Sequence, residues 1–361
     1  MRASHIAHQN GLIVIALAQG FVSSYARRVS QQARTGGNGT LRSRSGKLAR
    51  MHHVLKAPAI GALLLLGPLA LAGGHATAKL DLDAFERSKQ VMHLSDGVDL
   101  AYLERGDRTG PAVVLIHGYT DSAIDWAPLV PELPPRWHLI IVDIRGHGRS
   151  SKPECCYDRL DFAYDIKLLL DGLKISSADI VGHSLGSIIA QTFGEYWPER
   201  TRRIVLISST GGWPPDVPRN RPQLDYAAEI RKLKEPLDPG SPFMRAWWDS
   251  PTPVDPELNR RQREAAARIP LRVWLAVLDE ALPQDRDYAD LQSTLPRLGE
   301  PTLLIWGSRD PIMEEPVRQS LQKALPHAQV KIFEGLGHNP FWEDPAGVAQ
   351  LIENFLSSSG A

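Results

Sequence analysis

From Ala112 onward the chain carries six short apolar runs at intervals: Ala112–Ile116, Leu139–Val142, Ala178–Val181, Arg203–Ile207, Thr302–Trp306 and Val330–Phe333. Helix-patterned segments separate them. A strand covered on one face alternates apolar with polar residues, whereas a strand covered on both faces reads as an unbroken apolar run. The pattern therefore predicts parallel strands buried between layers of helix, joined by right-handed crossovers. Ahead of these runs, Gln90–Leu94 and Val98–Glu104 flank Ser95-Asp96-Gly97, and Asp-Gly at that position predicts a hairpin turn. The expected fold class is α/β, a mostly parallel sheet with an antiparallel start.

About ninety residues separate the run ending at Ile207 from the one starting at Thr302, far more than one crossover needs. Within them Leu224–Leu233 and Glu257–Leu282 carry helical periodicity, separated by joints at Pro236, Pro239, Pro242, Pro251, Pro253 and Pro256. A helical insertion over one end of the sheet is expected. It holds four of the nine tryptophans, Trp213, Trp247, Trp248 and Trp274, so an apolar lid is one reading and plain packing of the insertion is the other. The last helix is expected to open at Asp344-Pro345, a capping residue followed by proline, and to run to about Leu356.

The N-terminal region differs in kind. No Asp or Glu precedes Asp81. Residues 51–78 read as a secretory signal: Met51 and Lys56 open it, Ala59–Gly73 is rich in Leu and Ala, and Ala76-Thr77-Ala78 supplies small residues for cleavage. That apolar stretch is short for a bilayer span of about 20 residues, so no stable membrane anchor is expected. Residues 1–50, with a further apolar run at Leu12–Val22 and an Arg- and Ser-rich stretch, form an extension of uncertain role. Cleavage after Ala78 would remove nine of 41 basic residues and none of 41 acidic ones, leaving a net charge of −9 and arguing against a nucleic-acid partner. The expected location is secreted or periplasmic. The only cysteines, Cys155 and Cys156, are adjacent, a poor geometry for an ordinary disulfide; two partly buried thiols in a loop are the simpler expectation, a vicinal bridge the alternative.

The strongest chemical signal is Gly182-His183-Ser184-Leu185-Gly186, which follows the run ending at Val181 and opens the helical segment Ser187–Tyr196. In a strand–turn–helix setting this pattern is a nucleophile elbow, with glycines permitting the tight turn and the serine lifted clear of the sheet. Serine needs a base, and the base needs a group to fix its tautomer. Asp310 follows the run ending at Trp306, and His338 follows the run ending at Phe333. All three thus fall at the same edge of the expected sheet, where α/β active sites assemble. The candidate catalytic residues are Ser184, Asp310 and His338. The oxyanion hole is assigned to the backbone N–H groups of Leu185 and Tyr119, the latter in the loop after Ile116. Tyr119, Trp213 and Trp248 are the candidate substrate-binding side chains. Asp216 is the alternative acid, and His117 and His183 are read as fasteners of their loops. Neither H-E-x-x-H nor a Cys/His ligand cluster occurs, so no metal and no cofactor are expected.

Taken jointly, His117-Gly118, the segment Asp143-Ile144-Arg145-Gly146-His147-Gly148-Arg149-Ser150, Gly182–Gly186, Asp310 and Gly337-His338 resemble the α/β-hydrolase superfamily over roughly residues 88–357. The resemblance implies a mostly parallel eight-stranded sheet with helices on both faces, and a cap inserted after the sixth strand. The division that follows is an extension over 1–50, a signal peptide over 51–78, hydrolase core over 79–211, a helical cap or lid over 212–298, and core again over 299–361. Serine at 184 argues against epoxide hydrolases and haloalkane dehalogenases, whose nucleophile is aspartate. The expected activity is a serine hydrolase of carboxylesterase type, cleaving a small-molecule ester or lactone through an acyl-enzyme. C–C bond hydrolases, perhydrolases and aminopeptidases share the same serine chemistry, and a non-catalytic binding protein on the same scaffold is the alternative from another class.

Overall fold

A computed structural model describes residues 81–212, 221–282 and 293–358. The expected signal peptide, its cleavage site, Trp213 and Asp216 lie outside the described residues. In chain order the elements are α1 (Leu82–Arg87), β1 (Gln90–His93), β2 (Asp99–Gly106), β3 (Ala112–Ile116), β4 (His138–Val142), α2 (Arg159–Gly172), β5 (Ala178–His183), α3 (Leu185–Tyr196) and β6 (Thr201–Ile207). Four helices follow: α4 (Arg221–Ile230), α5 (Pro242–Trp247), α6 (Pro256–Ala267) and α7 (Leu271–Glu280). The chain then returns through β7 (Thr302–Gly307), α8 (Glu315–Ala324), β8 (Gln329–Phe333), α9 (Pro340–Glu343) and α10 (Pro345–Ser357).

The eight strands form one sheet in the order β1-β2-β4-β3-β5-β6-β7-β8. The first three strands in that order pair antiparallel and all later pairs are parallel. The apolar runs account for this layout. Every residue of β3, β4, β5 and β7 is buried, as a sheet covered on both faces requires. β1 and β8 lie at the edges and expose most of their residues. The first hairpin turns as Asp96-Gly97 predicts: Gly97 has φ +90°, and the turn closes through Leu94 N–H to Val98 O at 2.8 Å. α3 packs against β3, β5 and β6, with α2 beside it.

The insertion between β6 and β7 differs in detail from the sequence expectation. Glu257–Leu282 holds two helices, because Pro270 lacks the N–H that would continue the ladder and its ring would clash with the preceding turn; Pro270 itself stands outside the helix at ψ 139°. A short further helix, α5, forms within the proline-rich joint, capped by the Ser241 hydroxyl accepting from Met244 N–H. Cys155 and Cys156 are joined in a vicinal disulfide rather than standing as two thiols, a correction to the simpler expectation. Both are partly buried beside the buried Tyr157. No helix among the described residues is long and apolar enough to cross a membrane.

The Arg145–Ser150 segment does structural work. Arg145 is buried and donates to both oxygens of Asp165, at 2.6 and 2.5 Å, and to Asp96 at 2.8 Å. Asp143 receives the Lys89 ammonium at 2.9 Å and the N–H groups of Ala123 and Arg149. These bonds tie the loops after β3 and β4 to the hairpin.

Candidate active site

At the end of β5 the chain reverses direction through Ser184, held at φ +51° and ψ −117°, and enters α3 at once. A non-glycine residue at positive φ is strained, and such strain persists where surrounding structure over-determines it. Here Ser184 N–H donates to Ile207 O at 2.9 Å, while its carbonyl accepts from Ser187 N–H at the same distance. The flanking glycines are required by close approach: a Cβ on Gly182 would collide with the Gly186 carbonyl, and one on Gly186 with the Ile116 carbonyl. The serine hydroxyl is thus carried to the N-terminus of a twelve-residue helix, where unpaired N–H groups favour developing negative charge.

His338 lies in the loop after β8, and its Nδ1 sits 2.8 Å from Asp310 Oδ2, in the loop after β7. The other Asp310 oxygen accepts from Ile312 and Met313 N–H at 2.8 and 3.0 Å. Burial works against the Asp310 charge, but the His338 ring and these two N–H groups outweigh it and hold the carboxyl below its usual range. Burial likewise works against a charged His338, yet the Asp310 charge and hydrogen bond prevail and hold the ring above its usual pKa. The His338 backbone is pinned as well. Its carbonyl accepts from His183 Nε2 at 3.0 Å and from Ser208 Oγ at 2.8 Å.

Ser184 and His338 both face a cavity of about 500 Å³, also lined by Tyr119, Leu185 and Asn339 from the core and by Tyr226, Trp247, Trp248 and Leu278 from the insertion. The structure thus brings Ser184, His338, Leu185, Tyr119 and Trp248 to one cavity, with Asp310 buried behind His338. Among the described residues no protein acceptor takes the backbone N–H of Leu185 or of Tyr119, which leaves both for a ligand oxygen.

The Tyr119 ring is buried, and its hydroxyl donates to the Trp274 carbonyl at 2.6 Å. Thr120 follows at φ +66°, an uncommon conformation for a β-branched residue. Its hydroxyl donates to Tyr119 O and accepts from Trp247 Nε1 at 2.8 Å. Asp121 accepts from Trp248 Nε1 at 2.8 Å. Three consecutive loop residues therefore each bond to the insertion. Trp247 also lines the cavity; it is one of the four insertion tryptophans offered for an apolar lid, although the sequence singles out only Trp213 and Trp248 as substrate-binding. Trp274 packs edge-on against Tyr119 and is fully buried.

The two other histidines near the site fasten loops. His117 Nδ1–H donates to Gly118 O at 2.8 Å and its Nε2 accepts from Ile144 N–H at 3.1 Å. Burial, assisted by neighbouring His147, depresses its pKa to about 3. His183 is also depressed to about 3, by burial first and then His338. Facing it are Asp121 and Asp125, two buried carboxyls that sequence reasoning did not single out. Burial raises both.

A family model for the alpha/beta hydrolase fold matches residues 111–345. The chain belongs to the α/β-hydrolase family. Over 278 residues this hydrolase is 30% identical to an uncharacterized protein of Mycobacterium tuberculosis, covering 70% of its own length and 76% of the relative. It is 23% identical over 269 residues to a monoacylglycerol lipase of Mus musculus, covering 69% and 76% of the two chains. Among solved structures, an esterase from Rhodococcus sp. ECU1013 superposes with a TM-score of 0.65 at 22% identity, over 76% of this chain and all of the other. That likeness is one of fold.

Proposed function

We propose that this α/β-hydrolase is a serine hydrolase that cleaves a carboxylic ester or lactone through an acyl-enzyme. The observation that carries the reading is the Asp310–His338 hydrogen bond at the wall of a cavity that also holds Ser184 and two unclaimed backbone N–H groups. The names esterase and monoacylglycerol lipase among similar proteins support an ester as the scissile group.

In this reading His338 Nε2 takes the Ser184 proton as Oγ attacks the carbonyl carbon. Asp310 fixes the tautomer that puts the lone pair on Nε2 and stabilises the imidazolium. Negative charge on the former carbonyl oxygen is met by the Leu185 and Tyr119 N–H groups. His338 then returns the proton to the leaving alcohol, the tetrahedral intermediate collapses to the acyl-serine, and water activated by the same ring releases the acid. The Ser184 hydroxyl makes no hydrogen bond to the ring among the described residues, a looseness common before substrate binds.

A fluorophosphonate probe tests the nucleophile. Stoichiometric labelling of the wild type, absent in Ser184→Ala, is expected; a folded wild type that resists labelling would favour the non-catalytic binding protein. Hydrolysis of p-nitrophenyl esters and lactones, with an aminoacyl amide left intact, would separate the ester reading from the aminopeptidase one. We also propose that residues 51–78 direct export, and N-terminal sequencing of the exported protein checks for a start at Lys79.

A further inference from the structure

We infer that Asp121, Asp125 and His183 form a binding site for a divalent transition-metal cation of the Zn²⁺ type. The two carboxylates and the ring offer one ligand atom each, and these atoms lie within 4.8 Å of one another. All three side chains are buried, Asp125 completely and His183 to 1% exposure.

The hydrogen bonds divide these side chains into an outer and an inner half. On the outer half every side-chain polar atom is engaged: His183 Nε2–H donates to His338 O, Asp121 Oδ1 accepts from Trp248 Nε1, and Asp125 Oδ1 accepts from Gln262 Nε2 at 3.2 Å. On the inner half His183 Nδ1 and Asp125 Oδ2 face each other, buried and without a hydrogen-bond partner of good geometry, with the Gly118 N–H beside the Asp125 carboxylate. This is how metal ligands are held: the remote ring N–H goes to a carbonyl, the remote carboxylate oxygen goes to a donor, and the near atoms are left for the ion. Because the Nε2 proton is committed to a carbonyl, the neutral ring aims its Nδ1 lone pair inward.

The spacing separates a cation from a shared proton. His183 Nδ1 and Asp125 Oδ2 are 3.6 Å apart, beyond the roughly 2.7–3.2 Å of an N–H···O hydrogen bond. Two ligands at about 2.1 Å from a tetrahedral zinc stand about 3.4 Å apart. One nitrogen and two carboxylate oxygens suit a borderline cation, and its double charge offsets two buried carboxylates. Gly118 packs against the same two atoms, since a Cβ on it would stand 2.8 Å from Asp121 Oδ2 and 3.0 Å from His183 Nδ1, so only glycine leaves these atoms unobstructed. Asp121 and His183 also border the cavity, which provides access and a fourth ligand from solvent. The absence of a linear ligand motif is explained by geometry, since two ligands come from one turn and the third from the end of β5.

The full chain, stripped by chelator and dialysed, is titrated with Co²⁺, and the as-purified protein is assayed for zinc by atomic emission. One equivalent of Co²⁺ with the visible absorption of a four-coordinate N/O site is expected, displaced by Zn²⁺ and accompanied by a rise in Tm of several degrees. Asp121→Asn and Asp125→Asn, shown folded by circular dichroism, should each weaken Co²⁺ binding at least tenfold, while His93→Gln, at the exposed His93–Asp99 pair, should not. Failure of the wild type to bind either ion stoichiometrically overturns the inference in favour of a proton only, and this arm needs no variant to fold. Binding that survives in both Asn variants overturns it as well.

Discussion

The indole N–H of Trp247 donates to Thr120 Oγ1 at 2.8 Å, so a helix of the insertion grips the residue next to the proposed oxyanion donor Tyr119. Thr120 is held at φ +66°, and without an anchor the loop would relax toward commoner backbone angles. Trp247→Phe keeps the ring in the cavity wall and removes only the donor. A hydrogen bond of about 1 kcal/mol spent on loop geometry converts to a five- to tenfold change in rate, so kcat is expected to fall by about that factor with KM nearly unchanged. Steady-state kinetics on a short p-nitrophenyl ester checks this. A change confined to KM would show that Trp247 serves substrate contact alone.

Asp310 makes direct contact with the His338 ring and also accepts two backbone N–H bonds, so Asp310→Asn preserves size while offering the ring the wrong partner. The expected loss in kcat is roughly 10³–10⁴-fold, the scale seen when a base is held in the wrong tautomer. Asp216→Asn should stay within about threefold of wild type on the same assay. The reverse ranking of the two variants would transfer the acid role to Asp216.

Acid sensitivity is expected from His117. Its Nε2 accepts from Ile144 N–H, so a proton added there would set two N–H groups face to face. The folded ring titrates at about 3 against an ordinary 6.5. Between those values the unfolded chain binds a proton that the folded chain refuses. Stability is therefore fully present above pH 6.5 and is lost as pH falls, by about 1.4 kcal/mol per pH unit for this group. His147, depressed to about 4 mainly by burial, adds to the slope over a narrower window. Urea unfolding at pH 7.0, 6.0 and 5.0 should show a smaller fall for His117→Gln than for the wild type, even though the variant starts lower. Parallel curves for the two proteins would exclude His117 as a source of the slope.

How much of this was legible beforehand depends on the range of the interaction concerned. Strands such as Ala112–Ile116 and Thr302–Trp306 were readable because burial on both faces imposes continuous apolarity, a local signal. Ser184, Asp310 and His338 were readable because each follows such a strand, and parallel strands deliver their C-terminal loops to one edge. The break at Pro270 was available from proline alone, but the periodicity on either side masked it. Asp121 and Asp125 were not legible, since a short acidic loop segment looks solvent-exposed until β5 brings His183 against it. The grip of Trp247 on Thr120 spans 127 positions and depends on how the insertion folds back, which no local pattern encodes.

Gly118 shows how tightly the site is built and supplies a sharp comparison. A Cβ there would stand 2.8 Å from Asp121 Oδ2, 3.0 Å from His183 Nδ1 and 3.3 Å from Ser184 Cβ. None of the three can step aside freely. Asp121 is held by Trp248, His183 by the His338 carbonyl, and Ser184 by the strained turn itself. Gly118→Ala must therefore displace Asp121, Ser184, the loop carrying His338, or its own backbone with the Tyr119 N–H. Overpacking of this kind costs about 1–3 kcal/mol of stability, and kcat is expected to fall by about a hundredfold because shifts of Ser184, of the His338 loop or of the Tyr119 N–H each move a group of the proposed reaction. Gly299 is the control: no atom lies within 4 Å of its virtual Cβ, so Gly299→Ala should keep full activity and gain up to about 1 kcal/mol. Thermal unfolding and turnover of the two alanine variants, measured side by side, decide the matter. If Gly118→Ala retains wild-type kcat, the loop after β3 is free to yield and the oxyanion assignment to Tyr119 fails with it.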